Sequence, residues 1–140
     1  MREARPDQCT LVPDAPQALT SDHGWDLAAG EEELKRAIPR LRDRGIRIAL
    51  FMDADPAPMA RARELGADRV ELYTGPYAFA FDAGRGDDEL EKIYAAAKAA
   101  VAAGLELNAG HDLTTANLPA LRDLPGLKEV SIGHHLICHA

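Results

Sequence analysis

The sequence is poor in cysteine and contains no long apolar run. Its two cysteines, Cys9 and Cys138, stand near opposite ends of the 140 residues, so they do not make a disulfide framework. A reducing cytoplasm is the simplest environment for such a chain. No apolar run approaches the roughly 20 residues that a membrane-spanning helix needs, and the first residues, MREARPDQ, lack the apolar core of a signal peptide. We therefore expect a cytoplasmic protein that has no membrane partner.

Basic charge is also scarce. Sixteen Lys and Arg residues stand against 23 Asp and Glu residues, which gives a formal net charge of −7. Nucleic acids and anionic membranes both require a basic surface, so neither is expected as the main partner. Local basic groups can still hold a phosphate, so small phosphorylated ligands are not excluded. The hydrophobic share of 46% and the charged share of 28% are ordinary for one globular domain of this length.

One unit recurs along the chain: a helical segment, a glycine and a short β-rich run. The helical segments are LKRAIPRLRDRG, APMARARELGA, DDELEKIYAAAKAAVAAG and LTTANLPALRDLPG. The runs that follow them are IRIALFMD, DRVELYTG, LELNAGH and LKEVSIGH, and an earlier run, QCTLVPD, has no helix before it. Pro39 predicts a kink or a break near Ile38 in the first helix. Strict alternation of helix and strand predicts a parallel sheet.

Five strands and four helices fit either an open doubly wound sheet or part of a (β/α)₈ barrel. The glycines Gly45, Gly66, Gly104 and Gly126 occupy the same place in successive units, and such repetition favours the barrel. A complete barrel typically needs about 250 residues. The α/β fold class predicted here is therefore a partial (β/α)₈ TIM barrel, a single domain over residues 1–140.

Both architectures bind ligands at the carboxyl ends of their strands. The residues at these ends are Pro13, Asp14, Asp53, Glu71, Thr74, Gly75, Asn108, Gly110, His111, Gly133 and His134. Glycine lets a ligand approach the backbone, and amides near a helix start suit phosphate. His111 is the best acid–base candidate, although its ring could instead bond a nearby carbonyl. Glu71 needs a partner if it points into a barrel; the alternative is an outward side chain paired with Arg69 or another surface base.

Three other motifs have simpler interpretations. The RGD tripeptide at 85–87 is expected to be a turn. In DADP, Asp55 before a proline indicates a helix N-cap rather than a metal ligand. In HHLICH, His135, Cys138 and His139 would share one face of a helix, which is a possible metal trio. A single unsupported turn is a poor helix, however, so no metal site is expected.

Five stretches occur in the order and with the spacing of one enzyme family: CTLVPD, GIRIALFMDAD, GADRVELYTGPYA, GLELNAGHDLT and VSIGHHLI. On these stretches the sequence resembles the pyridoxine 5′-phosphate synthases over nearly its whole length. The resemblance implies a (β/α)₈ barrel in which this chain supplies strands four to eight, without strands one to three and the last helix. The implied reaction condenses 1-deoxy-D-xylulose 5-phosphate with 3-amino-2-oxopropyl phosphate into pyridoxine 5′-phosphate, phosphate and water. It uses no redox or metal cofactor.

The resemblance also implies roles for individual residues. His111 matches the family's proton donor, and Glu71 matches a glutamate that stabilises the transition state. Gly133 and His134 match a pair that binds 3-amino-2-oxopropyl phosphate. Ser21 stands where the family usually has a threonine that contacts 1-deoxy-D-xylulose 5-phosphate, and serine keeps the hydroxyl.

Asp112 departs from the family pattern, which has a glycine there with its amide at the aminoketone phosphate. A carboxylate turned inward at this position would repel the phosphate. The absent strands carry further substrate contacts and acid–base residues of the family. Two main expectations follow: a synthase whose chemistry requires those strands, or a non-catalytic half barrel that binds phosphate compounds or a partner chain. A third, weaker expectation is another phosphate-binding barrel enzyme with similar loops. Exposed strand edges also predict a homo-oligomer, because unpaired backbone seeks another strand.

Overall fold

Five short strands form one parallel sheet in the computed structural model of the chain, which describes residues 6–14 and 17–138. The strands are β1 (Gln8–Leu11), β2 (Arg47–Met52), β3 (Arg69–Tyr73), β4 (Glu106–Gly110) and β5 (Leu127–Ser131). Their order in the sheet is their order in the chain, and all four pairings are parallel. The predicted parallel α/β sheet is confirmed. Its sequential order is that of a barrel wall, whereas a doubly wound sheet reverses its order at a switch point.

Four helices lie between the first four strands and a fifth follows the last strand; two segments differ from the sequence prediction. The helices are α1 (Leu27–Arg42), α2 (Met59–Glu64), α3 (Gly75–Asp82), α4 (Asp87–Ala102) and α5 (His134–Cys138). The predicted helix in LTTANLPALRDLPG is wrong: that segment contains only a 3₁₀ turn, Leu118–Leu121, because prolines at 119 and 125 interrupt a longer helix. Helix α3 was not predicted, since its sequence GPYAFAFD is apolar without a helical period.

Helix α1 runs through Pro39 to Arg42, so the chain does not break near Ile38. The proline lies in the exposed part of the last turns, where it removes one backbone donor. Leu34 and Ile38 are buried in the core and hold the same turns against the sheet. Burying a side chain of this size contributes roughly 1.5–3 kcal/mol, comparable to the cost of about 3 kcal/mol for a proline inside a helix.

The two faces of the sheet differ in character. Val70 and Leu72 of β3 are fully buried in the core that the helices cover. The alternate residues stand on the other face, where Arg69 Nε donates to Glu106 Oε2 at 2.6 Å and Nη1 lies 2.9 Å from Glu129 Oε2. Burial disfavours the charged guanidinium, but the hydrogen bonds to both carboxylates raise the pKa of Arg69 above its ordinary value. In a (β/α)₈ barrel, the sheet face that the helices do not cover lines the interior.

The short loops before α2 and α4 account for two of the sequence motifs. The Asp55 carboxylate accepts the backbone N–H of Ala57 at 2.9 Å, but α2 begins only at Met59 with Pro58 at its N-cap. The predicted N-cap is therefore misplaced, and Asp55 closes the turn before the helix. The RGD tripeptide connects α3 to α4, and its aspartate is the first residue of α4. Among the helices of the described ranges, none combines the length and apolarity needed to cross a membrane.

Candidate active site

A cavity of about 730 Å³ opens where β3, β4 and β5 end. Its lining consists of Thr20, Glu71, Asp82, His111, Asp112, Leu113, Thr114, Ser131, Ile132, Gly133, His134 and His135. Five of the six site residues named from the sequence are in this set. The sixth, Ser21, is outside the lining, and its hydroxyl donates to the carboxylate of Asp14. Its neighbour Thr20 belongs to the lining, so the Ser21 segment borders the cavity.

Glu71 points from β3 to the polar face of the sheet. Thr10 of β1 donates its hydroxyl to Glu71 Oε2 at 3.1 Å, across the intervening strand β2, so the partner is Thr10 rather than Arg69. The other carboxylate oxygen lies against Gly110 of β4, where a Cβ atom would come within 2.6 Å of it. Only a residue without a side chain leaves room for the carboxylate here. Residues of the adjacent strand β4 and of β1, two strands away, thus position Glu71.

His111 follows β4 directly, and its ring packs against two aromatic rings. The centroids of His111 and Phe51 are 5.4 Å apart, and those of His111 and Tyr73 are 5.3 Å apart in an edge-on arrangement. The His111 ring therefore makes ring–ring packing contacts with Phe51 of β2 and Tyr73 of β3. The half-buried imidazole forms part of the cavity wall, where it can reach a ligand.

The backbone at His111 and Asp112 is left-handed, with φ of 87° and 57°. This conformation costs a residue with a side chain roughly 1–2 kcal/mol, although aspartate tolerates it better than most. Glycine adopts it freely. A glycine after the histidine, which the family resemblance implied, would therefore relieve strain that Asp112 carries in this chain. Asp112 is exposed and places its charge at the cavity.

Two buried polar side chains hold this strained loop, and the sequence alone indicates a role for neither. Thr74 Oγ1 lies 2.7 Å from the carbonyl oxygen of Gly110 and 2.6 Å from that of His111. Asn117 donates Nδ2–H to the carbonyl of Asp112 at 3.2 Å. Thr74 was visible only as a strand-end hydroxyl. Asn117 lay inside a segment expected to be helical, so no sequence signal marked it.

The third side of the cavity is the turn between β5 and α5. Gly133 is exposed, and a Cβ atom there would meet no atom within 4 Å. His134 begins α5, and its Nε2 lies 3.7 Å from Cys138 Sγ. His139, the third member of the possible metal trio, lies outside the described residues. Within residues 6–14 and 17–138, no group of three His, Cys, Asp or Glu side chains could hold a metal ion.

Acidic groups dominate the electrostatics of this end of the sheet. Burial raises the pKa of the Tyr73 phenol, and the carboxylates of Asp112 and Asp53 raise it further, so the phenol stays protonated at neutral pH. A hydrogen bond between Asp22 and His23 raises the pKa of His23 and lowers that of Asp22. The described lining of the cavity contains no Lys or Arg. An anionic ligand there would depend on backbone amides and histidines, or on cations from other residues.

Known proteins similar to this chain include several pyridoxine 5′-phosphate synthases. A model of the family described as Pyridoxal phosphate biosynthesis protein PdxJ matches residues 1–140. The pyridoxine 5′-phosphate synthase of Mesorhizobium japonicum is 54% identical over 138 residues, which are 97% of this chain and 56% of that protein. The synthase of Chelativorans sp. is 53% identical over 144 residues, 100% of this chain and 58% of that protein. The synthase of Brucella abortus is 54% identical over 140 residues, which are 96% of this chain and 56% of that protein. The chain spans a little more than half the length of these curated relatives.

Proposed function

We propose, from the premise that the chain belongs to the PdxJ family, that it supplies part of a pyridoxine 5′-phosphate synthase. In this proposal residues 1–140 are one partial domain, and β1 to β5 are strands four to eight of a (β/α)₈ barrel. The reaction joins 1-deoxy-D-xylulose 5-phosphate and 3-amino-2-oxopropyl phosphate, with release of phosphate and water. One observation supports it best: a single cavity collects Glu71, His111, Asp112, Gly133 and His134 from three strand ends. A cytoplasmic location remains a prediction.

His111 is the proton donor in this proposal. A condensation between an amine and a ketone, followed by dehydration, needs a group that protonates the departing hydroxyl near neutral pH, and imidazole suits that task. The ring lies in the cavity wall and is braced by Phe51 and Tyr73. Glu71 stabilises the positive charge that develops on the imine nitrogen, because a fixed carboxylate favours a nearby cation. Its hydrogen bond from Thr10 keeps the carboxylate in place.

The two phosphate groups are bound by different parts of the cavity. The Gly133 amide and the His134 ring hold the phosphate of 3-amino-2-oxopropyl phosphate, at a turn where no side chain obstructs the backbone. Ser21 contacts 1-deoxy-D-xylulose 5-phosphate and first exchanges its present partner, Asp14. Asp112 weakens the binding of either phosphate through repulsion. Cations from the part of the barrel that this chain does not span complete the site.

A second function is favoured by one specific observation. Asp112 adds a negative charge to a described lining without Lys or Arg, which suits a half barrel that binds a partner chain or a less charged phosphate compound without turnover. This alternative predicts ligand binding without product under all conditions. The first proposal predicts turnover once the remaining strands are supplied.

The test is an assay of pyridoxine 5′-phosphate formation by mass spectrometry. The chain is measured alone and as a hybrid in which the remaining residues of the Mesorhizobium japonicum synthase are joined to it. We expect product from the hybrid, and in it His111→Asn should lower kcat at least 100-fold, the scale of general acid catalysis. His23→Asn, an exposed histidine outside the lining, is the matched control and should keep kcat within a factor of two or so. A folded hybrid that binds substrates but makes no product would favour the second function.

A further inference from the structure

Thr74 stands at the N-cap of α3 but does not cap it. A threonine at this position usually accepts a backbone N–H of the first turn with its hydroxyl, whereas the Thr74 side chain makes no such hydrogen bond. Its hydroxyl instead lies 2.7 Å from the Gly110 carbonyl and 2.6 Å from the His111 carbonyl. The Thr74 N–H also donates to the Gly110 carbonyl, at 2.9 Å. The end of β3 is therefore bonded across to the end of β4, at the expense of the cap.

Asn117 secures the other side of the same loop. Its Nδ2 donates to the Asp112 carbonyl at 3.2 Å, and its Oδ1 accepts the Thr114 N–H at 2.8 Å. Tyr77 of α3 donates its hydroxyl to the Asn117 carbonyl at 2.8 Å. Thr74, Asn117 and Tyr77 are each at most 2% exposed, so the side chains that make these bonds are themselves shielded from water.

We propose that Thr74 and Asn117 are positioning residues of His111. They hold the two left-handed residues after β4 in place, with φ of 87° at His111 and 57° at Asp112, and so keep the imidazole against Tyr73 at the cavity wall. The strain would otherwise favour another backbone conformation and swing the ring away. That the held ring donates a proton rests on the proposed function; that it is held does not.

The test follows the His111 ring by NMR in the isotopically labelled chain. Thr74→Val keeps the side-chain shape and removes the hydroxyl, and it should at least halve the nuclear Overhauser effect between the His111 and Tyr73 rings. Thr74→Ser keeps the hydroxyl and should retain the wild-type signal. Thr115→Val is the matched control, since Thr115 is an exposed threonine on the same loop, and it should also retain the signal.

A double mutant separates positioning from general packing. Asp112→Gly relieves the strain at residue 112, so Thr74→Val should lose at most half as much ring signal in that background as in the wild type. If Thr74→Val fails to fold, Asn117→Asp is the second variant, because it keeps the Oδ1 acceptor and replaces the donor to the Asp112 carbonyl with a carboxylate oxygen. It should weaken the same ring signal.

In the hybrid enzyme, Thr74→Val should lower kcat about tenfold to 100-fold with little change in KM, and Thr74→Ser should restore it. The proposal is overturned if folded Thr74→Val keeps the wild-type contact between the His111 and Tyr73 rings. If Thr74→Val is unfolded, an unchanged ring contact in Asn117→Asp overturns it instead. Equal losses with aspartate or glycine at 112 overturn it as well. An inactive hybrid with the expected ring signals rejects the proposed function and leaves the positioning role supported.

Discussion

At the scale of single residues, Gly110 shows how the absence of a side chain shapes the site. A Cβ atom at this position would lie 2.6 Å from Glu71 Oε1 and 3.0 Å from Ser131 Cβ. The Glu71 carboxylate is the end of a flexible side chain, so it can move aside. Moving it breaks the hydrogen bond that Thr10 donates to it. The space that Gly110 leaves is therefore needed for the position of a carboxylate rather than for a turn of the backbone.

Gly110→Ala should consequently fold but lower the kcat of the hybrid. We expect the free energy of unfolding to fall by about 1–2 kcal/mol through local overpacking, and kcat of the hybrid to fall at least tenfold, roughly the cost of a misplaced reacting group. Urea unfolding and the product assay measure the two effects. The matched control is Gly45→Ala: the added Cβ atom would meet no atom within 4 Å, but the backbone φ of 75° at Gly45 makes alanine strained there. It should cost a similar stability at the far end of β2 without lowering kcat; full turnover in Gly110→Ala would contradict the argument.

The sequence predicted Glu71 and His111 because strand ends can be recognised from apolar runs that stop at polar residues. It could not predict that the Thr74 side chain does not cap α3, or that the Asn117 side chain donates a hydrogen bond to the Asp112 carbonyl. Those facts depend on the backbone angles of residues 111 and 112 and on a contact between residues 37 positions apart. Local periodicity carries no information about either.

At the scale of helices and strands, charged side chains connect neighbouring helices on the outer surface. The Glu31 carboxylate of α1 accepts from Arg61 Nη2 of α2 at 2.6 Å and lies 2.5 Å from Lys35 Nζ. The hydrogen bond from Arg61, followed by that from Lys35, lowers the pKa of Glu31 from its ordinary 4.5 to about 2. Because the pKa of Glu31 is depressed in the folded chain, its interactions with Arg61 and Lys35 stabilise the fold fully above pH 4.5. This stabilisation is lost as the pH falls towards about 2.

Glu31→Gln should therefore lower the melting temperature by at most a few degrees at pH 7, since exposed ion pairs contribute little. The difference from the wild type should stay constant down to about pH 5 and shrink below it. Thermal unfolding followed by circular dichroism between pH 7 and pH 3 measures the trend. Glu33→Gln, the same charge change at an exposed position of α1, is the control. A difference that grows as the pH falls would refute the assignment.

The secondary-structure elements also show where sequence patterns fail. All five strands were predicted, because each is a short apolar run after a glycine or a turn. The break at Pro39 was not observed, since the buried faces of Leu34 and Ile38 hold the last turns of α1. The apolar segment of α3 has no periodicity to reveal a helix, although Pro76 in its first turn is a known start signal. In these cases tertiary packing decided the outcome.

At the scale of the whole molecule, the open sheet is the main feature. Within the described residues β1 and β5 form its two edges, while β2, β3 and β4 each pair on both sides. An edge strand presents unpaired backbone groups that can bond another strand. The net charge of −7 opposes the approach of two copies. Salt screens that repulsion, with a Debye length of about 8 Å at physiological ionic strength.

We therefore predict that the chain associates with itself through β1 and β5, and more strongly as salt rises from about 20 mM to 300 mM. Sedimentation velocity over a range of protein concentrations measures the association. Amide hydrogen exchange locates it: protection on β1 and β5 should increase with concentration, while the amides of β3 serve as an internal control and should not change. The exposed Phe79 of α3, 76% accessible, offers a competing apolar contact. If the chain associates but the amides of β1 and β5 do not become protected, the interface is a helix surface such as that of Phe79. Strand pairing would protect the edge-strand amides from exchange, whereas a helix contact would not.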